Sequence, residues 1–403
     1  MESSEAEARR PSSPGGRQAG IDVLRGLVMV LMALDHVRDY FGDIRQAPEA
    51  LATTTPLLFA TRWVTHFCAP AFVLLAGVAA WLYGARRSKG ALSRFLLARG
   101  LWLVVLELTL VYYAWTMSFE LGFVFLQVIA AIGCAMIVLA GALHLPAGLR
   151  LALAVALVAG HHLLEGTGFA SSGAAGQVLY GAFQMVTVGD APRLLVIYPL
   201  LPWTGVLLLG YALGPLFARE RGRRRRALAA LGAAATLLFV VLRLAGGYGD
   251  PAPLPEQLRA LEEAGRSSAA LQVVAFLNCA KYPPSLQYLL MTLGPALLFL
   301  AWVDRSPGPL GRALAVYGRV PLFYYVLHLF AIHLGARTLY WIQHGEFLSP
   351  MLAALRGGFP PWFGNGLGTV YAAWAAVVLA LYPVCRWYAG VKRRGRSAVW
   401  SYL

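Results

Sequence analysis

Charge is what this chain has least of. Only 13% of its 403 residues are Asp, Glu, Lys or Arg, against 59% apolar ones, and the mean hydropathy is +0.62. That balance excludes an ordinary soluble protein. The four cysteines, Cys68, Cys134, Cys279 and Cys385, are scattered and match no metal or redox spacing, which argues against a disulfide framework and a zinc site. Also missing are a Gly-rich phosphate loop, a nucleophile elbow and an H-E-x-x-H run, so no metal is expected. No internal repeat is evident, which weighs against transporter folds built from duplicated halves. The first apolar run is long, carries charges and is not followed by a small-residue cleavage site, unlike a signal peptide.

What is present is a series of apolar runs separated by short basic clusters. The net charge of +15 resides in those clusters, a pattern of membrane topology and not of a nucleic-acid face. A spanning helix needs about 20 mostly apolar residues. Ten segments qualify: 21–41, 57–83, 95–115, 119–143, 147–164, 194–217, 227–246, 284–303, 313–335 and 367–388. The predicted class is an all-α polytopic membrane protein of about ten transmembrane helices, with the lipid bilayer as its first partner. Basic residues such as Arg86, Arg87 and Lys89, the run Arg219 to Arg226, and Arg386 to Arg396 fall on one side, which the positive-inside rule makes cytoplasmic. Both termini then lie inside. The expected organisation is a disordered tail over 1–19, a transmembrane domain over 20–390 and a basic tail over 391–403, in a bacterial inner (plasma) membrane.

The first span, IDVLRGLVMVLMALDHVRDYF, carries the costliest side chains. Arg25 and His36 are eleven residues apart, so they share one face about 16 Å apart along the axis. Ionisable groups inside a membrane helix point to function by default. A neutral imidazole is a good general base at physiological pH. His66 opens the next span at similar depth and is expected to meet His36, with Asp39 as orienting carboxylate and Asp35 paired to Arg38. The same residues could instead merely tie helices together, and Arg25 could be an intrahelical partner of Asp22. Further along, Glu107 and Gln127 are intramembrane polar groups that need partners. Lys281 and Tyr282 precede the eighth span, Arg319 and Pro321 stand at the start of the ninth, and His328 lies deeper in it than His333.

These residues resemble a known family. Arg25 and His36 form the R-x10-H pair associated with membrane acyltransferase-3 proteins. IDVLRG, HFCAPAFVLLAG, FLQ, KYPPSLQYLLMTLGP, GRVPLFYYVLH and YPVCRWYAGVKRR look like the heparan-alpha-glucosaminide N-acetyltransferase catalytic-domain family and its bacterial members. The resemblance implies transfer of an acyl group, commonly acetyl, from cytoplasmic acetyl-CoA or another acyl-CoA to a hydroxyl or amino group. The acceptor would be an extracytoplasmic sugar, envelope glycan or small molecule. His36, assisted by His66, Asp39 and Asp35, would be catalytic. Arg25 and Arg319, with Arg94 and Arg99, would meet the CoA phosphates, and Gln127, Lys281, Tyr282 and His328 would line the acceptor site. The eukaryotic heparan enzyme places its catalytic histidine in the first outer loop, where this chain has none between Phe41 and Arg62, so the role passes to His36 or His66. A proton-coupled transporter or flippase using the Asp-His stripe is the competing class, and a homodimer stays open.

Overall fold

The computed structural model describes residues 18–43, 45–119, 123–186, 193–304, 307–355 and 358–394. The expected N-terminal tail and most of the C-terminal one lie outside these residues. The protein is built around α1, Ala19–Phe41. Around it stand α2 (Pro56–Gly84) and α3 (Lys89–Thr116), then α4 (Val128–Ala142) and α5 (Ala147–Ala159). They are followed by α6 (Leu200–Ala218) and α7 (Arg221–Ala245), and by two short helices of the connection that follows, α8 (Leu254–Glu263) and α9 (Ala269–Leu277). Further along stand α10 (Leu286–Val303), α11 (Pro309–Arg319), α12 (Pro321–His344) and, after a short helix at Pro350–Leu355, α13 (Leu367–Arg394).

Seven of these helices, α2, α3, α6, α7, α10, α12 and α13, are long and apolar enough to cross a membrane. The other three expected spans depart for separate reasons. Five charged side chains interrupt α1, while α4 and α5 have only 15 and 13 residues. The expected helix start at 119 is corrected by strand β1, Phe123–Leu126, and that at 194 by β3, Arg193–Val196; the two pair in parallel, with β2, Gln184–Val186, antiparallel on β3. FVFL and RLLV are short aromatic and branched-chain runs that satisfy each other's backbone groups as a ladder, where neither is long enough to persist alone as helix. The expected single span 313–335 is likewise two helices. Pro321 has no N–H to give, and Val320 before it leaves the helical region at φ −133°, ψ 49°.

α11 packs along α1 backbone to backbone. A Cβ at Gly26 would lie 1.8 Å from the Leu314 carbonyl oxygen, and one at Gly318 would lie 1.9 Å from that of Asp22. Only glycine lets the helices approach so closely, as small residues do at membrane helix interfaces generally. The contact sets Arg319 beside Asp22, and past the proline break α12 packs against α1 again, bringing His328 to His36.

Candidate functional site

Along α1 the residues Arg25, Met29, Met32 and His36 recur at steps of four, three and four, a single helical stripe. The first three line a cavity of about 180 Å³ enclosed by α1 to α4 and α12. Arg25 and Arg99 lie in its wall, Ile132 and Met136 supply apolar surface from α4, and Tyr325 of α12 lines it as well. The Tyr325 ring is 6.2 Å from that of His36 and 5.6 Å from that of His328.

His36 Nδ1 is 2.8 Å from His328 Nε2, and the rings stack with centroids 5.0 Å apart. The hydrogen-bond chain assigns the tautomers. His328 Nδ1 lies 2.9 Å from the Tyr324 carbonyl oxygen, which can only accept, so Nδ1 carries the proton and Nε2 the lone pair. His36 must then donate from Nδ1, and its own Nε2 keeps a lone pair. Trp115 stands edge-on to His36 at 4.8 Å, and its indole N–H reaches the Tyr325 hydroxyl at 3.4 Å. The result is a base whose outer nitrogen is available and whose inner nitrogen is fixed.

The expected His36–His66 pairing is thereby corrected: the second imidazole comes from α12. His66 is fully buried with its Nε2 3.6 Å from Glu49 and its ring 5.4 Å from Tyr288. Asp39 does not orient His36 either, since its carboxylate accepts from Arg38 at 2.7 Å. A carboxylate one step along a helix from Arg38 is taken by the nearest cation. Asp35 pairs with Arg38 at 3.1 Å, as expected, and also receives Arg62 Nη1 at 2.6 and 2.8 Å and Thr65 at 3.0 Å. Arg62 closes the network by donating Nε to Glu49 at 2.8 Å. Sequence reasoning passed over Arg62 and Glu49 because Arg62 lies in the first turns of α2 and Glu49 in the loop before it, and neither the helix's position nor the loop's path could be placed.

Other expected residues distribute as follows. Arg25 and Arg319 flank Asp22 at 4.0 and 3.9 Å, both loose pairs near the same end of α1. Arg94 is exposed and does not line the cavity. Gln127 is buried at the junction of β1 and α4. Glu107, in a π-helical stretch of α3, accepts the Ala130 amide at 2.8 Å and so caps the start of α4, whose next residues form the cavity wall. Lys281 is buried with Nζ 5.1 Å from the Tyr282 ring centre. His333, the shallower histidine, faces Ser349 at 2.9 Å and not His36. At the C-terminal end of α1, a polar pocket of about 150 Å³ is lined by Arg38, Asp39, Asp43, Gln46 and Asn365 among others. Arg38 Nη1 is buried there without a hydrogen bond.

Glu49 lies outside the spans and titrates in a telling way. Burial works to raise its carboxyl, but His66 and the Arg62 guanidinium together hold it well below the ordinary 4.5. A depressed carboxylate stabilises the fold fully above its ordinary value and loses that contribution as the pH falls toward the folded one. Glu49→Gln is therefore expected to lower the melting temperature at pH 7, with the gap to the wild type narrowing steadily below about 4.5. Melting curves of both proteins at pH 7 and pH 3 check this; a gap that is equal at both would refute it.

A helical membrane bundle with a mostly apolar cavity, two arginines in its wall and a buried histidine pair beside its Tyr325 has the layout of an enzyme working inside the membrane. The family profile described as Heparan-alpha-glucosaminide N-acetyltransferase, catalytic, matches residues 17–246. The match covers more than half of the chain, and the chain belongs to that family, which is of membrane acetyltransferase type. It takes in His36 and His66 and ends before Lys281 and His328. No curated protein matches the chain.

Proposed function

We propose that the protein transfers an acyl group from acyl-CoA, acetyl-CoA first among them, to a hydroxyl or amino group of a sugar or related acceptor held at the opposite end of α1. The observation that carries this reading is the cavity running from Arg25 and Arg99 to Tyr325 beside the histidine pair. At 180 Å³ it is smaller than the roughly 300–1,000 Å³ of most ligand pockets, so it fits the acyl end of the donor and leaves the nucleotide outside. The two guanidiniums suit the donor's phosphates, which they would draw to the cavity by charge.

His36 Nε2 takes the proton of the acceptor O–H or N–H as that atom bonds to the acyl carbon. The carbon–sulfur bond breaks, and the imidazolium returns the proton to the departing thiolate, giving free CoA and the acylated acceptor. His328 holds the His36 ring throughout by accepting from Nδ1. The polar pocket with Arg38, Asp39 and Asn365 is the acceptor's entry, and the basic clusters support a cytoplasmic position for the cavity by the positive-inside rule.

Labelled acyl-CoA supplied to purified protein in vesicles, with label followed into added sugars, tests the reading. Release of CoA dependent on an acceptor is expected, and proton flux without CoA consumption would favour a transporter. Ile132→Trp fills the cavity from α4. It is expected to raise the donor KM at least tenfold for acetyl-CoA and more for longer chains, while the melting temperature stays near that of the wild type; an unchanged donor KM would remove the cavity from the mechanism.

A further inference from the structure

The run RGRRRR that opens α7 places five arginines at positions 221 and 223 to 226, and the structure uses them unequally. Arg224 grips Asp304 with two bonds of 2.7 and 2.9 Å, Arg221 donates to the Asp304 carbonyl at 2.6 Å, and Arg223 pairs with Glu220 at 3.8 Å. Arg225 is pinned only through Nε, to the Ala301 carbonyl at 3.1 Å. Among the described residues neither its two Nη nitrogens nor Arg226 has a hydrogen bond or ion pair. These two arginines, and not the other three, line an open groove of about 560 Å³ between α7 and α10. Its floor is Gly222, Ala229 and Ala301, whose small side chains leave the space, and its wall is Leu298 and Trp302. Trp302 is 64% exposed and also borders a second groove of about 460 Å³, lined by apolar side chains that include Val23, Leu27 and Leu314.

We infer that this groove is a binding site for an anionic phospholipid of the leaflet on the basic side of the membrane. Arg225 and Arg226 hold the phosphate, one acyl chain lies along Ala229 and Leu298, and the other passes beyond Trp302 into the apolar groove. Charge complementarity selects the occupant. Two guanidiniums with donors to spare beside apolar walls match a phosphodiester with its chains attached, and basic pockets between membrane helices take anionic headgroups by the same physics. The indole sits where an aromatic ring anchors at the interface. A zwitterionic lipid offers the same chains, but its own cation competes for the phosphate. The site is separate from the histidine pair and does not depend on the acyltransferase reading.

The test uses the full chain in detergent with added phosphatidylglycerol or phosphatidylcholine, read by native mass spectrometry and by thermal shift. Phosphatidylglycerol is expected to remain bound and to raise the melting temperature, and phosphatidylcholine to do so far less. The double variant Arg225→Gln, Arg226→Gln is expected to retain phosphatidylglycerol roughly 30-fold more weakly, about tenfold or less for each charge removed near the surface. Arg223→Gln, which removes the same kind of charge outside the groove, leaves retention unchanged. Ala229→Trp, which fills the groove but keeps both arginines, weakens it as well. Equal binding of the two lipids, full retention by the double variant, or complete displacement by inorganic phosphate would each overturn the inference.

Discussion

His36→Gln is expected to lower acyl transfer by roughly 10²–10⁴-fold, the range for removal of a positioned general base. The glutamine amide can still donate to His328 Nε2 in place of the imidazole Nδ1, so the buried acceptor keeps a partner and the melting temperature should hold. What is lost is the lone pair that faces the reacting centre. His328→Gln removes no atom from that centre, and its loss should be smaller and should move the acidic limb of the pH–rate profile, because it changes how well the His36 imidazolium is held. The double variant should be little worse than His36→Gln alone, as for residues acting as one unit. Full activity in His36→Gln, measured as acceptor-dependent CoA release, would remove the base from its assigned place.

Much of α1 was legible because its information is local. The spacing of Arg25, Met29, Met32 and His36 follows from helical periodicity alone, and the structure puts three of them in the cavity and the fourth in the histidine pair. The partner of His36 was not legible. His328 is 292 residues away, and the decision between it and His66 rests on how α12 crosses α1, which is set by the close contact of Gly26 and Gly318 and by the break at Pro321. The proline and glycines were visible; the crossing they permit was not. A similar limit applies to Asp39 and Asp35. Their order in the chain is plain, but Arg62 reaches Asp35 only once α2 is placed, and a carboxylate with two guanidiniums and a hydroxyl has no capacity left for orienting a histidine. Strands β1 and β3 were missed for the opposite reason. Within one apolar run, four residues of strand and a following helix share the same hydrophobicity, and only pairing across 70 residues separates them.

The second large effect concerns stability. Arg243, fully buried near the end of α7, donates to the carbonyls of Phe276 at 3.0 Å, Ala275 at 2.7 Å, Asn278 at 2.8 Å and Ala252 at 3.1 Å, and to Gln287 at 3.3 Å. It thus ties the end of α9 and the turn after α7 to one planar group, with buried Asp250 3.8 Å away. Arg243→Met keeps most of the volume and removes every donor, leaving several carbonyls and a carboxylate without a cation. The expected cost is about 3–5 kcal/mol, as for one partner removed from a buried ion pair. Arg243→Lys keeps the charge but has a single nitrogen in place of a fork, and should fall between. The damage should also reach the site. Asn278 donates to the Glu49 carbonyl at 3.1 Å, and Glu49 holds Arg62, which holds Asp35 beside His36. Loosening the loop therefore frees Lys281 and Glu49 together, so acceptor KM should rise in Arg243→Lys even where the protein is still folded. Thermal melting and steady-state kinetics on the two variants decide the matter: a Met variant that melts with the wild type would mean that the loop is held by other contacts, and a Lys variant that is destabilised with unchanged acceptor KM would uncouple the loop from the site.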